Sequence, residues 1–243
     1  MIIRITTWNM DYWKHQSLQG QAWDYFLNGV KADIYLFQEA SPTKEIKNQE
    51  ANLVWEMIGQ SRNWGSGIYS PKYKLVQEEL DTQFRGAFVI GNIKIGGHMI
   101  TFISLYGLME SNGPCKGYSI TNLHRIISDL TGLFNGHIGG NRKIVMGGDL
   151  NASTQLDDIQ GNRSHQILFD RIKDFGLSDV YKLSDNKDYV QKLRHAKSKK
   201  TWQNDYFFMS NSLKGMFLKY EILDNEEVRR FSDHNIVLIE MDF

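Results

Sequence analysis

The sequence contains few of the residues that would divide, cross-link or charge the chain. Its 243 residues include a single cysteine, Cys115, so an internal disulfide is excluded and a reducing compartment is favoured. Three prolines and no Gly/Ser-rich or Pro-rich linker predict one domain over residues 1–243. Lys plus Arg equals Asp plus Glu at 28 each, so binding of a polyanion would need a local basic patch rather than a global field.

Long apolar runs and several well-known motifs are also missing. No stretch approaches the roughly 18 consecutive apolar residues of a membrane span, and MIIRITTWNM lacks the basic lead and apolar run of a signal peptide. We therefore expect a cytoplasmic protein. The absence of a G-x-G-x-x-G after any strand, and of a G-x-x-x-x-G-K-[ST] loop, argues against dinucleotide and P-loop chemistry. With one cysteine and no H-x-x-x-H or H-E-x-x-H pair, zinc is disfavoured as well.

What the sequence does contain is an alternation of strand-like and helix-like runs. IIRITTW (2–8) and DIYLF (33–37) flank a stretch with apolar residues on one helical face, which predicts a β-α-β opening. FRGAFVIGNIKI and HMITFISLY flank Gly96-Gly97, which predicts a hairpin because two glycines tolerate the positive φ angles of a tight turn. The residues of the first helical face are Leu18, Ala22, Tyr25, Phe26 and Val30.

The second half continues the alternation and decides the predicted class. Apolar residues from Ile120 to Phe134 recur at helical spacing before the strand KIVMG, and a less regular helix is predicted around 167–175. Strands follow at DYFFMS (205–210), MFLKYEIL (216–223) and NIVLIEM (235–241). Hairpins mixed with helix crossovers predict an α/β sandwich with sheets in the middle and helices outside, and a doubly wound single sheet stays open.

Polar side chains stand at the ends of these strand-like runs, where an apolar core has no use for them. In α/β proteins, functional residues gather where strand ends and their loops meet at one edge of the sheets. We therefore expect these residues to converge. They are Asn9, Glu39, Tyr106, Asp149, Asn151, Asp205, Asp233 and His234.

The residue types in this set suit a particular chemistry. Carboxylate and amide oxygens are hard ligands that fit Mg²⁺ or Mn²⁺, and acids beside a histidine are typical of sites where water attacks a phosphoester. His234 would contact the phosphoryl group or move a proton, with Asp205 orienting its imidazole. Each residue also has a structural interpretation: Asp149 beside a glycine is more often an Asx-turn, and Tyr106 or Trp202 is more often a packing residue.

Six motifs, taken in order, resemble the endonuclease/exonuclease/phosphatase superfamily, the deoxyribonuclease I-like proteins. They span residues 6–238 and read TTWNMD, IYLFQEA, FISLYG, VMGGDLNAS, WQNDYFFMSNSL and FSDHNIVL. The resemblance implies a four-layer α/β sandwich, in which two central mixed β-sheets are flanked by helices, and a Mg²⁺-dependent hydrolase for which Mn²⁺ is a plausible substitute.

The resemblance also implies a role for each matched residue. Asn9, Glu39 and Asp233 take the positions of the metal site, with Asp11 as a secondary metal contact. Asp149 and Asn151 take the positions that hold the attacking water and the phosphate, and the glycines before them would let substrate and backbone approach closely. His234 takes the position that contacts the scissile phosphate, and Asp205 the position that pairs with this histidine.

Two further matches point to the branch of abasic-site endonucleases and their exonuclease relatives. That branch carries a tyrosine where Tyr106 stands, and a tryptophan three residues before the aspartate, as Trp202 and Asp205 are spaced here. We therefore expect a nuclease with Trp202 as a substrate contact. Abasic-site specificity does not follow, because the sequence departs from that branch at two places. YGLMESNGP replaces the usual Pro-Asn turn, and Gln203-Asn204-Asp205 replaces R-[IL]-D.

Three hypotheses about function follow from the sequence. The first is a Mg²⁺-dependent phosphodiesterase of nucleic acid, whose backbone the basic stretch KLRHAKSKK (192–200) could follow unless it is only a solvated loop. The second keeps the site but takes a small phosphoester, such as an inositol phosphate, a nucleotide or a phospholipid headgroup, and neutral net charge modestly favours it. The third is a binding module that has lost catalysis, although every matched position carries a competent side chain.

Overall fold

The computed structural model describes residues 1–111, 117–138, 142–184 and 202–243, so Cys115 and the basic stretch 192–200 lie outside the described residues. The strands of the described part are β1 Ile2–Asn9, β2 Ile34–Ala40, β3 Leu53–Met57, β4 Gly65–Tyr69, β5 Val76–Glu78, β6 Phe88–Ile95, β7 His98–Leu105, β8 Lys143–Asp149, β9 Leu177–Asp179, β10 Asp205–Ser210, β11 Phe217–Leu223 and β12 Ile236–Asp242. The helices are α1 Tyr12–His15, α2 Gln19–Asp24 with a π-helical continuation Tyr25–Gly29, α3 Lys44–Lys47, α4 Ile120–Asp129, α5 Thr131–Ile138, α6 Asp157–Gln160, α7 Ser164–Asp174 and α8 Glu226–Phe231. None of these helices is long and apolar enough to cross a membrane.

The strands form two mixed sheets of six strands each. The first sheet has the order β11-β12-β1-β2-β4-β3, and the second has the order β5-β6-β7-β8-β10-β9. In the first, β1 runs parallel to β2 and antiparallel to β12. In the second, β8 runs parallel to β7 and antiparallel to β10. The doubly wound single sheet that the sequence left open is therefore wrong.

Three apolar layers hold these sheets and the helices together. Alternate residues of a strand point to opposite faces, and β10 shows the result: Phe207 and Met209 pack between the sheets, whereas Tyr206 and Phe208 pack under α4 and α7. The third layer lies on the outer face of the first sheet, where Trp8 and Phe26 meet. Helix, sheet, sheet and helix thus form four layers, which confirms the predicted α/β sandwich.

The strand directions bring the predicted polar residues to one edge. Because β12 is antiparallel to β1, the start of β12 lies beside the end of β1, with Val237 opposite Thr7. In the second sheet, Asp205 at the start of β10 is the direct partner of Asp149 at the end of β8. The loops of both sheets therefore open onto the same side of the molecule.

Candidate active site

Asn9, the last residue of β1, connects the two sheets at this edge. Its side-chain Nδ2 donates to Glu39 Oε1 of the first sheet at 3.1 Å and to Asp149 Oδ2 of the second at 2.9 Å. Its Oδ1 accepts from the backbone N–H of Asp11 at 3.0 Å. The buried amide thus fixes two of the predicted acids relative to each other, and its oxygen is already bonded within the chain.

Asp149 and Asn151 form a compact turn at the end of β8. The backbone N–H of Asn151 donates to Asp149 Oδ1 at 2.9 Å, and its Nδ2 donates to Asp149 Oδ2 at 3.1 Å and to the Gly107 carbonyl at 3.0 Å. The Asx-turn that the sequence indicated is therefore present, and the same carboxylate faces the site. Burial raises the pKa of Asp149 to about 7.

His234 lies between three carboxylates. Its Nδ1 is 2.9 Å from Asp205 Oδ2, and its Nε2 is 3.7 Å from Asp149 Oδ2 and 3.8 Å from Asp233 Oδ1. Although burial disfavours the imidazolium, the charges of Asp205 and Asp149 raise the pKa of His234 well above its ordinary value. These carboxylates therefore favour the protonated imidazole, whose Nε2 lies on the side of Asp149 and Asp233.

The backbone around His234 is also fixed to β1. Ser232 Oγ donates to the Asn9 carbonyl at 2.6 Å and accepts from the His234 N–H at 2.9 Å. Trp8 Nε1 donates to the His234 carbonyl at 3.1 Å. These bonds hold the loop before β12 against β1, and so they set where the imidazole stands.

Asp233 is engaged by a lysine that the sequence motifs did not single out. Lys14 Nζ lies 2.8 Å from Asp233 Oδ2 and 3.1 Å from Asp11 Oδ2. Although burial opposes it, His234 and Lys14 together lower the pKa of Asp233. The contact of Lys14 with Asp11 could have been inferred from sequence, because the two residues are three apart on one helical turn. The contact with Asp233 could not, because that residue is 219 positions away along the chain.

Tyr106 and Trp202 complete the predicted set on the side of the second sheet. Tyr106 is buried, and its ring stands nearly perpendicular to that of Trp64 at a centroid distance of 6.0 Å. Burial, together with the carboxylates of Glu39 and Asp149, raises the pKa of Tyr106 well above its ordinary value, so the phenol stays protonated. Trp202 is half-buried and lines the same cleft.

Several carboxylate oxygens at the site have no hydrogen-bond partner although they are buried. These are Glu39 Oε2, Asp11 Oδ1 and Asp205 Oδ1. Within the described residues, one atom from each of Asp149, Asp205 and His234 lies within 4.8 Å of the others, so this group could hold a metal ion. Unpartnered buried carboxylate oxygens are costly unless a cation meets them, so the donor set fits a divalent metal, and its hard oxygens suit Mg²⁺ or Mn²⁺.

The backbone is strained where these side chains are presented. Asp11, Glu39 and Asn151 have φ angles of 45°, 43° and 48°, in the left-handed region that L-residues avoid. Among the described non-glycine residues, Lys31 alone joins them with a positive φ. Such strain costs about 1–3 kcal/mol per residue and clusters at functional sites, and here it turns two acids and an amide towards one point.

The two glycines before Asp149 allow β8 to lie close to its neighbours in the fold. A Cβ on Gly148 would lie 1.8 Å from the backbone oxygen of Leu105 in β7, and Gly148 has a φ of 152°. A Cβ on Gly147 would lie 2.6 Å from the ring of Phe207. Both glycines therefore permit close packing of β8 against its neighbours.

One cleft with a volume of about 1220 Å³ is lined by most of the predicted residues, although Asn9 and Asp205 are not among its lining residues. Its floor carries the acids and His234, and its walls add residues that sequence reasoning did not select. Some of these are apolar, such as Leu108 and Met109, and others are aromatic or cationic, as in many nucleic-acid sites. The aromatic and cationic ones are Trp13, Lys14, Arg62, Trp64, Phe84, Tyr118 and Arg125.

The fold defined by the two sheets and this cleft is that of the endonuclease/exonuclease/phosphatase structures, which confirms the resemblance at the level of the fold. A protein of that family from Leptotrichia buccalis C-1013-b matches with a TM-score of 0.68 and 16% identity, over 99% of this chain and 100% of that one. Comparison with protein-family models finds no match, and neither does comparison with curated proteins.

Two further structures with this fold are enzymes or nucleic-acid complexes by their descriptions. An AP endonuclease from Archaeoglobus fulgidus has a TM-score of 0.70 and 18% identity, over 99% of this chain and 100% of that one. A D. rerio TDP2 complexed with single strand DNA product has a TM-score of 0.66 and 14% identity, over 100% of this chain and 99% of that one. At these identities the likeness establishes a shared fold.

Proposed function

We propose that the protein is a Mg²⁺-dependent phosphodiesterase that hydrolyses nucleic acid by attack of water on phosphorus. The observation that carries the proposal is a buried cluster in which His234 lies between Asp205 and Asp149, with His234 and Asp149 lining the cleft and Asn9 linking Asp149 to Glu39. A structural core has no use for a histidine cation between carboxylates, whereas phosphoryl transfer needs both an acceptor of protons and a stabiliser of negative charge.

Asp149 is the group that accepts the proton of the attacking water. Its pKa of about 7, raised by burial, matches a base that works near neutral pH. Asn151 and Asn9 donate to both of its oxygens and so fix the direction in which the carboxylate points. The resemblance to the superfamily supports the same assignment for Asp149 and Asn151.

His234 and Tyr106 stabilise charge on the phosphate. Asp205 holds the His234 imidazolium through Nδ1 and leaves Nε2 available to donate to a phosphate oxygen. The protonated phenol of Tyr106, buried close to Glu39 and Asp149, is the second donor. Donors fixed before the reaction contribute most, because they need no reorganisation in the transition state.

The residues that would hold the metal are Glu39, Asp11 and Asp233, with Asn9 orienting Glu39. When bound there, Mg²⁺ would neutralise charge on the phosphate and the leaving oxygen. Asp149, Asp205 and His234 also lie close enough together to hold an ion, but the proposed mechanism uses Asp149 as the base and the protonated His234 as a donor, so neither would serve as a metal ligand there. We therefore assign the metal to the Glu39 side.

Nucleic acid is the favoured substrate because the cleft is larger than a small phosphoester needs. A cleft of about 1220 Å³ exceeds the roughly 300–1,000 Å³ that suits a small ligand. Tryptophans and arginines line its walls, and a structure with the same fold was determined with single strand DNA product. A small phosphoester remains the alternative that the experiment below separates.

The proposal is tested by hydrolysis of labelled single-stranded DNA, duplex DNA, abasic duplex and RNA, beside inositol phosphates and a nucleotide, with Mg²⁺, Mn²⁺ or EDTA. We expect turnover of a nucleic acid that EDTA abolishes, and little turnover of the small compounds. His234→Ala and Asp149→Asn should each lower the rate by about 100- to 10,000-fold, the range of general acid–base groups.

The matched control is His98→Ala, a partly exposed histidine at the start of β7 beside Lys143 and outside the cleft. It should keep the parent's rate. Parent-like cleavage by His234→Ala or Asp149→Asn would refute the proposed roles, and turnover of small phosphoesters alone would establish the alternative substrate.

A further inference from the structure

We propose that two tryptophan–cation pairs on the walls of the cleft are stacking subsites for unpaired bases, so that the enzyme selects single-stranded nucleic acid. The inference deepens the proposed function and rests on it. Its starting point is that two different parts of the chain each place a cationic side chain over a tryptophan ring. One is Trp13 with Lys14 in α1, and the other is Trp64 with Arg62 before β4.

Trp13 is exposed in a way that packing does not explain. Its side chain is 61% accessible, and it joins none of the three apolar layers of the described fold. Lys14 Nζ lies 4.6 Å from the ring centroid and also bridges Asp11 and Asp233. An exposed indole is therefore held beside Asp11 and Asp233, two of the acids proposed to hold the metal.

Trp64 supplies the corresponding surface on another wall. The guanidinium of Arg62 lies 4.9 Å from its ring centroid, and the ring stands nearly perpendicular to that of Tyr106 at 6.0 Å between centroids. Arg62 is exposed, and Trp64 is half-buried. The accessible part of this indole, one contact away from a proposed phosphate donor, would receive a base by stacking, and Arg62 would meet the phosphate of that nucleotide by charge.

This arrangement favours unpaired nucleotides over a duplex. Bases within a duplex already stack on each other and expose only their edges, whereas an unpaired base offers a free face to an aromatic ring. Interleaved aromatic and cationic residues are the usual surface of single-strand binding, and they accept any base because every base has a π-face. Arg125 adds a third cation to the same cleft.

The test measures binding of a short labelled oligothymidylate by fluorescence anisotropy, with a duplex of equal length as competitor. EDTA is present so that no hydrolysis occurs. We expect the parent to prefer the single strand. Trp13→Ala and Trp64→Ala should each weaken single-strand binding by roughly tenfold or more, as loss of one stacked base does, and should change duplex binding little. Trp13→Phe, which keeps a ring, should retain most of the affinity.

Leu218→Ala is the matched control, because Leu218 is 52% exposed on β11 and lies outside the cleft. It should bind like the parent. Melting temperatures of all variants separate lost binding from lost folding, and Trp13→Ala decides the question if Trp64→Ala unfolds.

Two results would overturn the inference: equal affinity of the parent for duplex and single strand, or unchanged affinity in Trp13→Ala. If the parent hydrolyses nucleic acid but the tryptophan variants bind normally, this inference alone fails. If the parent neither binds nor hydrolyses any nucleic acid, the proposed function fails with it.

Discussion

Lys14 sets the charge balance of the site at the scale of single residues. Its ammonium lies between Asp233 and Asp11, while Asp11 Oδ1 and Glu39 Oε2 remain buried without partners. The lysine therefore neutralises one side of the acidic group and leaves the other side for a divalent cation. Two predicted metal positions are thus unequal: Glu39 has a free oxygen, whereas Asp233 is held by a cation of the chain.

Lys14→Met should strengthen the binding of Mn²⁺. Methionine keeps the length of the side chain but removes the charge, and two unit charges about 4 Å apart near a protein surface interact by roughly 4 kcal/mol. Even partly screened, the loss of this repulsion should tighten Mn²⁺ binding by about tenfold. Isothermal titration calorimetry on the free protein measures the effect without substrate.

Lys182→Met is the control for this prediction, because Lys182 also lies three residues after an aspartate, Asp179, but outside the cleft. It should leave Mn²⁺ binding unchanged. Unchanged or weaker binding in Lys14→Met would show instead that the lysine only arranges the acids, or that the metal does not bind beside it.

At the scale of elements, β9 carries an acid whose protonation should be visible in stability. Asp179 ends β9, which pairs with β10, the strand that begins at Asp205. Burial raises the pKa of Asp179 to about 6, against the opposing charge of Lys182. Asp179 Oδ1 accepts the backbone N–H of Tyr181 at 3.1 Å, so the side chain is fixed in place.

Because the folded pKa is raised, Asp179 holds its proton more tightly in the folded than in the unfolded state. Its contribution to stability is fully present below the unfolded value of 3.8 and is lost as pH rises through about 6. Asp179→Asn, which keeps the acceptor and cannot ionise, should match the parent near about pH 4 and be more stable near about pH 8 by up to roughly 3 kcal/mol.

Urea unfolding across this pH range measures the difference in free energy of unfolding between the parent and Asp179→Asn. The contributions of the other titrating groups cancel in this difference. Leu218→Ala, at an exposed position of β11 without a titrating group, is the control and should differ from the parent by an amount that stays constant with pH. A difference between parent and Asp179→Asn that stays constant with pH would contradict the assigned cause.

The elements also show which parts of the fold a single sequence encodes. The Gly96-Gly97 hairpin, the opening β1 and β2, and β10 at 205–210 lie where the apolar patterns predicted them. The predicted continuous helix to Phe134 is divided at Leu130 into α4 and α5. The sequence did not predict strand β4, because its glycines interrupt the apolar pattern of a strand. The fold requires glycine there, since a Cβ on Gly65 would lie 1.8 Å from the Glu56 backbone oxygen.

For the site, too, the sequence shows what depends on neighbouring residues and not what depends on contacts between distant ones. Asn9, Glu39, Asp149, Asp205 and His234 end or begin strands, so their pattern is local and visible in sequence. The contact of Lys14 with Asp233, 219 residues away along the chain, depends on how β1 and β12 pair. The exposed ring of Trp13 is likewise defined only by what the fold leaves uncovered.

At the scale of the whole molecule, the site exists only where the two sheets are held in register. Gln38, fully buried in β2, donates from Nε2 to Ser104 Oγ of the other sheet at 2.9 Å and to Thr7 Oγ1 at 3.2 Å. Ser104 Oγ donates in turn to the Phe37 carbonyl at 3.0 Å. This buried network lies one residue from Glu39 and two from Tyr106, so it connects the strands that carry both.

Breaking the network should therefore reduce stability and catalysis together. Gln38→Met and Ser104→Ala should each cost about 1–3 kcal/mol, because each leaves a buried polar partner unsatisfied. Since both act on one network, their double variant should depart from additivity by at least about 0.5 kcal/mol in urea unfolding, where independent sites would add. Hydrolysis rates should fall in both single variants without loss of metal binding, since Glu39 and Asp11 remain in place. Additive costs with parent-like rates would mean that the apolar layer alone aligns the sheets, and that the cleft does not depend on the Gln38–Ser104 bond.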